Sequence, residues 1–188
     1  MSRRLSFDHN EPRWMRLSSQ NRLVLPKEVA AWLKESGSLT KAVVMACDGR
    51  FNLQLRGQRW GRGYASERDL LGMRQGSHGL IREVELRCDE NAWVFARTLI
   101  PATSFRGRAK RLARLRTKPL GAVLFADRST QRVLSEVARI TPRHALYHVA
   151  TEKLLNKPAE IWGRRAIYRY AKQPILVNEI FLPAIPER

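Results

Sequence analysis

The amino-acid sequence predicts an α+β protein in which helices pack on an antiparallel sheet. Two observations lead to this fold class. Strand-like segments occur in three pairs, each joined by a short polar turn, and segments joined in this way form antiparallel hairpins. Helical segments separate the pairs, which is typical of helices covering such a sheet. A length of 188 residues suits one domain, or one domain with a long insertion.

The three predicted hairpins carry the clearest strand signals. Their strand pairs are 42–47 with 51–55, 80–88 with 93–100, and 161–170 with 175–182. Asp48-Gly49 separates the first pair, and this dipeptide favours a two-residue hairpin turn. The second pair turns at 89–91 and the third at 172–174.

Helices are predicted in three regions. Segment 26–33 begins with proline and repeats its apolar residues at helical spacing. Segment 108–116 is short and basic. In the longer region 130–155, the apolar spacing from 133 to 140 predicts one helix, and a second follows Pro142.

The composition is strongly basic. Lys and Arg number 35 against 17 Asp and Glu, a formal net charge of +18. This charge favours anionic partners such as nucleic acid, acidic lipid headgroups or small carboxylates, without choosing among them. No stretch approaches the roughly 20 apolar residues that span a bilayer, so we expect no membrane span.

Two further features predict a cytoplasmic location. Cys47 and Cys88 form no CxxC pair, and two isolated cysteines fit a reducing compartment better than a disulfide scaffold. The N-terminus has two arginines but no apolar core behind them, so we expect no signal peptide.

Three apolar strand faces each contain one charged residue. Alternation places Arg82, Arg97 and Glu179 among apolar neighbours of their own strands. A buried unpaired charge costs on the order of several kcal/mol, so each must find a partner. One interpretation is a structural Arg–Glu pair, or strand faces that are wrongly assigned.

The other interpretation is a partly dry pocket with two guanidiniums and one carboxyl. Each arginine presents a rigid fork that matches a carboxylate. Two forks imply a ligand with two carboxylates, and a nearby glutamate can hold a hydroxyl or handle a proton.

Six motifs follow one another between about residue 38 and the C-terminus. They are 38–41 (SLTK), 80–84 (LIREV), 93–101 (WVFARTLIP), 117–121 (TKPLG), 162–165 (WGRR) and 172–184 (KQPILVNEIFLPA). In these motifs and their order the sequence resembles the bacterial chorismate pyruvate-lyases. Those enzymes make 4-hydroxybenzoate in the first committed step of ubiquinone synthesis.

The resemblance implies a single α+β domain over 1–188, with about six antiparallel strands and helical flaps over an enclosed site. It implies elimination of pyruvate from chorismate without cofactor or metal. Arg82 matches the arginine at the ring carboxylate, and Glu179 the glutamate at the ring hydroxyl. These two are the predicted catalytic residues. Leu39 and Leu120 match main-chain contacts on the flaps, and Arg97 matches a second arginine, at the enolpyruvyl carboxylate.

The sequence departs from the family pattern in three places. Ala96 stands where glycine is expected, and its methyl group should point away from Arg97, so we expect a packing change only. Segment 127–160 lies in a stretch longer than expected and is interpreted as a helical insertion. Residues 1–20 match nothing in the family pattern.

Two other functional classes remain open. One is a non-catalytic effector-binding domain of the same fold, and the other is a general nucleic-acid-binding protein, which only the charge suggests. His144 and His148 have the i, i+4 spacing of metal ligands, but without a third ligand they are interpreted as an exposed helix face. The partner expected from the resemblance is chorismate. We also expect no specific nucleic acid and a monomer.

Overall fold

Seven strands form one antiparallel sheet in the computed structural model, which describes residues 10–17, 25–115 and 117–188. The strands are β1 Met15–Arg16, β2 Phe51–Gly61, β3 Gly79–Cys88, β4 Asn91–Pro101, β5 Gln131–Ile140, β6 Ile161–Tyr170 and β7 Gln173–Phe181. Their order across the sheet is β1-β5-β6-β7-β4-β3-β2. The predicted α+β class is confirmed. The sheet has one strand more than the expected six, and β1 has only two residues.

Short helices cover both faces of this sheet. They are α1 Lys27–Lys34, α2 Leu39–Ala46, α3 Ala65–Leu70, α4 Leu120–Leu124 and α5 Ala145–Ala150, with 3₁₀ segments at Ala102–Ser104 and Gly107–Arg114. None of the helices in the described ranges has the length and apolar character needed to cross a membrane.

The second and third predicted hairpins are confirmed as β3–β4 and β6–β7, but the first is wrong. Residues 42–46 belong to helix α2 rather than to a strand. The hydroxyl of Ser38 caps this helix by accepting from the N–H of Lys41. Leu39 and Val43 bury the apolar side of the helix against the sheet. This packing outweighs the strand preference of the adjacent valines.

The predicted helical insertion at 127–160 is also wrong over its first half. Residues 131–140 form β5, which pairs with β6 along its whole length and with β1. A bulge next to Val133 interrupts the alternation of this strand and leaves that side chain 48% exposed. The interruption makes the apolar spacing resemble that of a helix. Only α5, later in the segment, is helical.

The prediction that both cysteines remain free is wrong as well. Cys47 and Cys88 form a disulfide, with their Cα atoms 5.6 Å apart. Cys47 directly follows α2 and Cys88 ends β3, so the bond ties a helix to the sheet. The cytoplasmic prediction rested partly on free thiols and loses that support.

A bulge in the β3–β4 hairpin decides which charged residues share a face of the sheet. Next to the turn, Cys88 pairs with Asn91. Past the shift in register beside Leu86, Glu83 pairs with Arg97 and Arg82 pairs with Thr98. Without this extra residue Arg97 would lie directly opposite Arg82 on the same face. The bulge therefore separates the two arginines.

We call the two sides of the sheet the front face and the back face. Arg82, Ala96 and Glu179 point to the front face, which α1, α2, α4 and the longer 3₁₀ segment cover. Arg97 and Asn178 point to the back face, which α3 and α5 cover. The inner strands β3, β4, β6 and β7 are therefore largely buried on both sides.

Candidate active site

A cavity lies on the front face, beneath two short helical flaps. The first flap is 38–46, with α2, and the second is 119–125, with α4. The residues lining the cavity come from both flaps and from five strands: Ser38, Leu39, Thr40, Leu53, Arg82, Val84, Leu86, Ala96, Thr98, Leu120, Gly121, Leu124, Phe125, Tyr168, Val177 and Glu179.

The floor of the cavity is made of small side chains between two charged ones. Arg82 on β3 and Glu179 on β7 lie two strands apart and are displaced by two residues along the ladder. Strand spacing of about 4.8 Å and rise of about 3.4 Å per residue place their Cα atoms about 12 Å apart. Ala96 and Thr98 on β4 lie between them. Two long side chains can thus face each other across a small flat molecule.

The guanidinium of Arg82 is buried at one end of this floor. The side chain belongs to a residue that is 2% exposed, and its Nη2 donates to the main-chain carbonyl of Lys118 at 3.0 Å. Burial lowers the pKa of Arg82 to about 10, because desolvation disfavours the charged form. Lys118 lies directly before the second flap, so Arg82 connects the sheet to that flap.

The carboxylate of Glu179 lines the other end of the cavity. It accepts a hydrogen bond from Nε of Arg164, which lies directly opposite on β6. Burial works to lower the pKa of Arg164, whereas the carboxylates of Glu179 and Glu35 work to raise it, and the net effect is a raised pKa. Sequence reasoning missed Arg164, although it lies in the 162–165 motif. The signal available was a glutamate on an apolar strand face, which requires a cation on a neighbouring strand.

Leu39 and Leu120 are the first residues of the two flap helices, and both line the cavity. The first N–H groups of a helix lack partners within that helix and suit anionic groups. Both flaps therefore place the first residue of a helix at the cavity. Ala96 also lines the cavity, so its methyl group lies on the face opposite to Arg97, as expected.

The predicted pocket containing both Arg82 and Arg97 is wrong about Arg97. Its Nε donates to Glu67 at 3.0 Å and its Nη1 to Glu83 at 2.5 Å, both on the back face. Its guanidinium also lies 4.4 Å from the ring centre of Tyr64. Burial opposes the charge, yet Glu67 and Glu83 outweigh it and raise the pKa of Arg97. For this residue the structural Arg–Glu pair is the correct interpretation.

Tyr168 and Phe125 also line the cavity and were missed by sequence reasoning. Their rings meet edge to face with centroids 6.0 Å apart, so the second flap contacts strand β6. Burial raises the pKa of the Tyr168 hydroxyl, which keeps it protonated.

The two histidines make hydrogen bonds to the residues just before α5. His148 contacts the carbonyl of Pro142 at 2.7 Å, and His144 accepts from the N–H of Thr141. Within 10–17, 25–115 and 117–188, no three or more His, Cys, Asp or Glu side chains are grouped as metal ligands would be.

Comparison with known proteins agrees with the resemblance seen in the sequence. The sequence profile described as chorismate lyase matches residues 10–188, so the match includes 10–20, which the motifs had left out. A probable chorismate pyruvate-lyase of Methylococcus capsulatus (strain Bath) is 39% identical over 155 residues, covering 82% of this chain and 94% of that protein. Another, from Azoarcus sp. (strain BH72), is 38% identical over 163 residues, covering 85% and 86%.

Solved structures share the fold at much lower identity. The C-terminal domain of the histidine utilization repressor from Pseudomonas syringae pv. tomato superposes with a TM-score of 0.57 at 12% identity. The match covers 72% of this chain and 94% of that domain. At this identity the likeness concerns the arrangement of strands and helices and says nothing about function.

Proposed function

This chain belongs to the chorismate lyase family, and we propose that it eliminates pyruvate from chorismate to give 4-hydroxybenzoate. Membership in the family makes the protein a lyase enzyme, as the sequence predicted. The observation that carries the proposal is that Arg82 and Glu179 line the same cavity, at opposite ends of its floor. We further propose that the product enters ubiquinone synthesis, and that Arg82 and Glu179 are the catalytic residues.

The proposed substrate fits the polarity of the cavity. Chorismate carries a ring carboxylate and, across the ring, a hydroxyl and an enolpyruvyl ether. Arg82 would hold the ring carboxylate, since a guanidinium matches that group in charge and geometry. Glu179 would accept a hydrogen bond from the ring hydroxyl. The small residues Ala96 and Thr98 leave room for a flat ring between Arg82 and Glu179.

The second carboxylate of the substrate requires donors other than Arg97, since that residue lies on the back face. We propose that the main-chain N–H groups at Leu39 and Leu120 serve the substrate carboxylates together with Arg82. Both residues begin helices at the cavity wall. Donors held by the backbone bind carboxylate oxygens without adding a second buried charge.

The reaction breaks the ether C–O bond at one ring carbon and a C–H bond at the adjacent, hydroxyl-bearing carbon. The hydrogen becomes part of the methyl group of pyruvate, and the ring becomes aromatic, which drives the reaction. The hydrogen can move directly to the methylene carbon in a cyclic transition state, or Glu179 can assist its removal. In either case the protein's main task is to hold a reactive geometry, which can contribute up to about 7–11 kcal/mol.

Incubation of the purified protein with chorismate tests the proposal directly. Stoichiometric pyruvate and 4-hydroxybenzoate are expected, and the rate should survive exhaustive treatment with a chelator. Binding of 4-hydroxybenzoate without any turnover would instead indicate the non-catalytic effector-binding alternative.

Replacement of Glu179 by glutamine distinguishes the two reaction paths. The amide keeps a hydrogen-bonding group but cannot act as a base. A modest loss of kcat favours positioning and the cyclic path. A loss of several orders of magnitude in a folded variant favours proton removal by Glu179.

A further inference from the structure

Besides Arg82, a second arginine is buried on the front face, and it contacts Glu179. Arg164 and Glu179 are directly opposite each other on β6 and β7, so their side chains project to the same face. Arg164 is 1% exposed, and its Nε donates to Oε2 of Glu179. The carboxylate that lines the cavity is therefore held from behind by a guanidinium that does not itself line the cavity.

The other end of the Arg164 guanidinium is fixed to the end of helix α1. Its Nη1 donates to the main-chain carbonyls of Trp32, at 3.2 Å, and of Glu35. Arg132 on β5 donates to the same Glu35 carbonyl at 3.2 Å. The last carbonyls of a helix carry partial negative charge, which suits a guanidinium. These contacts fix the guanidinium of Arg164 to the main chain and oppose a change of its rotamer.

The contacts of Arg164 also reach the base of the first flap. Glu35 directly follows α1, and only two residues separate it from Ser38, which caps α2. The side chain of Glu35 accepts from the N–H of Gly37 at 2.7 Å, which shapes the corner between the two helices. One guanidinium thus connects the carboxylate at the cavity with the corner that carries Leu39.

We propose that Arg164 is a positioning residue for the proposed lyase reaction, holding the carboxylate of Glu179 in the direction in which it meets the substrate. The proposal rests on the proposed function and assigns Arg164 no contact with the substrate. Its effect on the reaction passes through Glu179. Loss of Arg164 should therefore lower kcat only in a protein that still contains Glu179.

The adjacent residue provides a matched control. Arg165 is also buried, and its Nε donates to a carboxylate, that of Glu136, at 2.7 Å. It points to the back face, where its guanidinium lies 4.6 Å from the ring centre of Trp14. Arg165 and Arg164 thus share residue type, strand, burial and ion pairing, but only Arg164 contacts a residue of the cavity.

A double-mutant cycle on kcat tests the proposal, with wild type, Arg164→Met, Glu179→Ala and the double variant. Wild-type turnover of chorismate is measured first, and its absence would overturn the proposed function rather than this inference alone. Arg164→Met should lower kcat by roughly 100-fold, as misplacement by about 1 Å can do. In the Glu179→Ala background, Arg164→Met should change kcat by less than about threefold, because Glu179, through which Arg164 acts, is absent.

The control and the conservative variant complete the test. Arg165→Met should combine with Glu179→Ala multiplicatively, since the two lie on different faces. Arg164→Lys retains the charge and should recover part of the kcat lost in Arg164→Met. If Arg164→Met does not fold, Arg164→Lys takes its place in the cycle. If the losses of kcat caused by Arg164→Met and Glu179→Ala also multiply in the double variant, as in the control pair, the proposal is overturned.

Discussion

The β3–β4 hairpin buries one arginine on each face, and the two have opposite surroundings. Arg97 on the back face lies between the carboxylates of Glu67 and Glu83, which raise its pKa. Arg82 on the front face donates to a main-chain carbonyl, and burial lowers its pKa to about 10. The back guanidinium is neutralised within the protein. The front guanidinium lines the cavity, where an anionic ligand can reach it.

The largest expected effect is on the stability of the back face. Arg97→Met leaves two buried glutamates without their shared cation, and breaking such a pair costs roughly 3–5 kcal/mol. Urea unfolding should show this loss of free energy. Arg59→Met is the control, because Arg59 pairs with the same Glu83 but its side chain is 55% exposed, and exposed pairs contribute about 0–1 kcal/mol. Equal losses in the two variants would contradict the assignment of Arg97 as structural.

The disulfide gives the next largest effect, on the front face. Cys47 and Cys88 close a loop of sequence separation 41, and a disulfide of this kind contributes about 2–4 kcal/mol. Replacing both cysteines by serine should lower the free energy of unfolding by that amount. It should also increase hydrogen exchange in the first flap (38–46), since Cys47 directly follows its helix. Unchanged exchange in this flap would show that packing alone holds it.

Arg82→Met sharpens the contrast between the two faces. The variant should bind 4-hydroxybenzoate more weakly by about 1.5–3 kcal/mol, the loss of a charge-assisted hydrogen bond. In the free variant the hydrogen bond to the Lys118 carbonyl is lost, which should lower the free energy of unfolding by about 1.5 kcal/mol, less than in Arg97→Met. Calorimetry with and without ligand measures both quantities. A free variant destabilised as strongly as Arg97→Met would remove the distinction between the two arginines.

The smallest effect is expected at Ala96. Its methyl group faces the cavity floor, so Ala96→Gly removes at most one methyl contact with a bound ring. Such a contact contributes about 0.8 kcal/mol, or roughly a fourfold change in Kd for 4-hydroxybenzoate. Titration of both proteins with the product measures it. A change of more than tenfold would mean that this position controls the shape of the site.

The front-face site could be predicted from sequence because its signals are local. Arg82 and Glu179 each interrupt an apolar strand face, and both lie in family motifs. Arg97 gave the same local signal but belongs to the back face. Alternation shows which residues of one strand share a face, whereas a single bulge beside Leu86 changes the register between strands. No residue type in this hairpin predicts the bulge from sequence.

Two other errors have a similar origin in long-range structure. Segment 131–140 shows helical spacing, but pairing with β6 and the bulge at Val133 make it a strand. Segment 42–47 contains strand-forming valines, but Ser38 and the packing of Leu39 make it a helix. Arg164 was missed because its importance lies in a cross-strand neighbour, Glu179, which sequence spacing does not reveal.

The most direct test of the account is a crystal structure of the protein with bound 4-hydroxybenzoate. We expect a ring on the front face, lying over Ala96 and Thr98, with its carboxylate at Arg82 and its hydroxyl at Glu179. In the same structure Arg97 should keep its ion pairs with the back-face glutamates. A ligand bound through Arg97, or one that leaves Arg82 and Glu179 without contact, would contradict the assignment of the site.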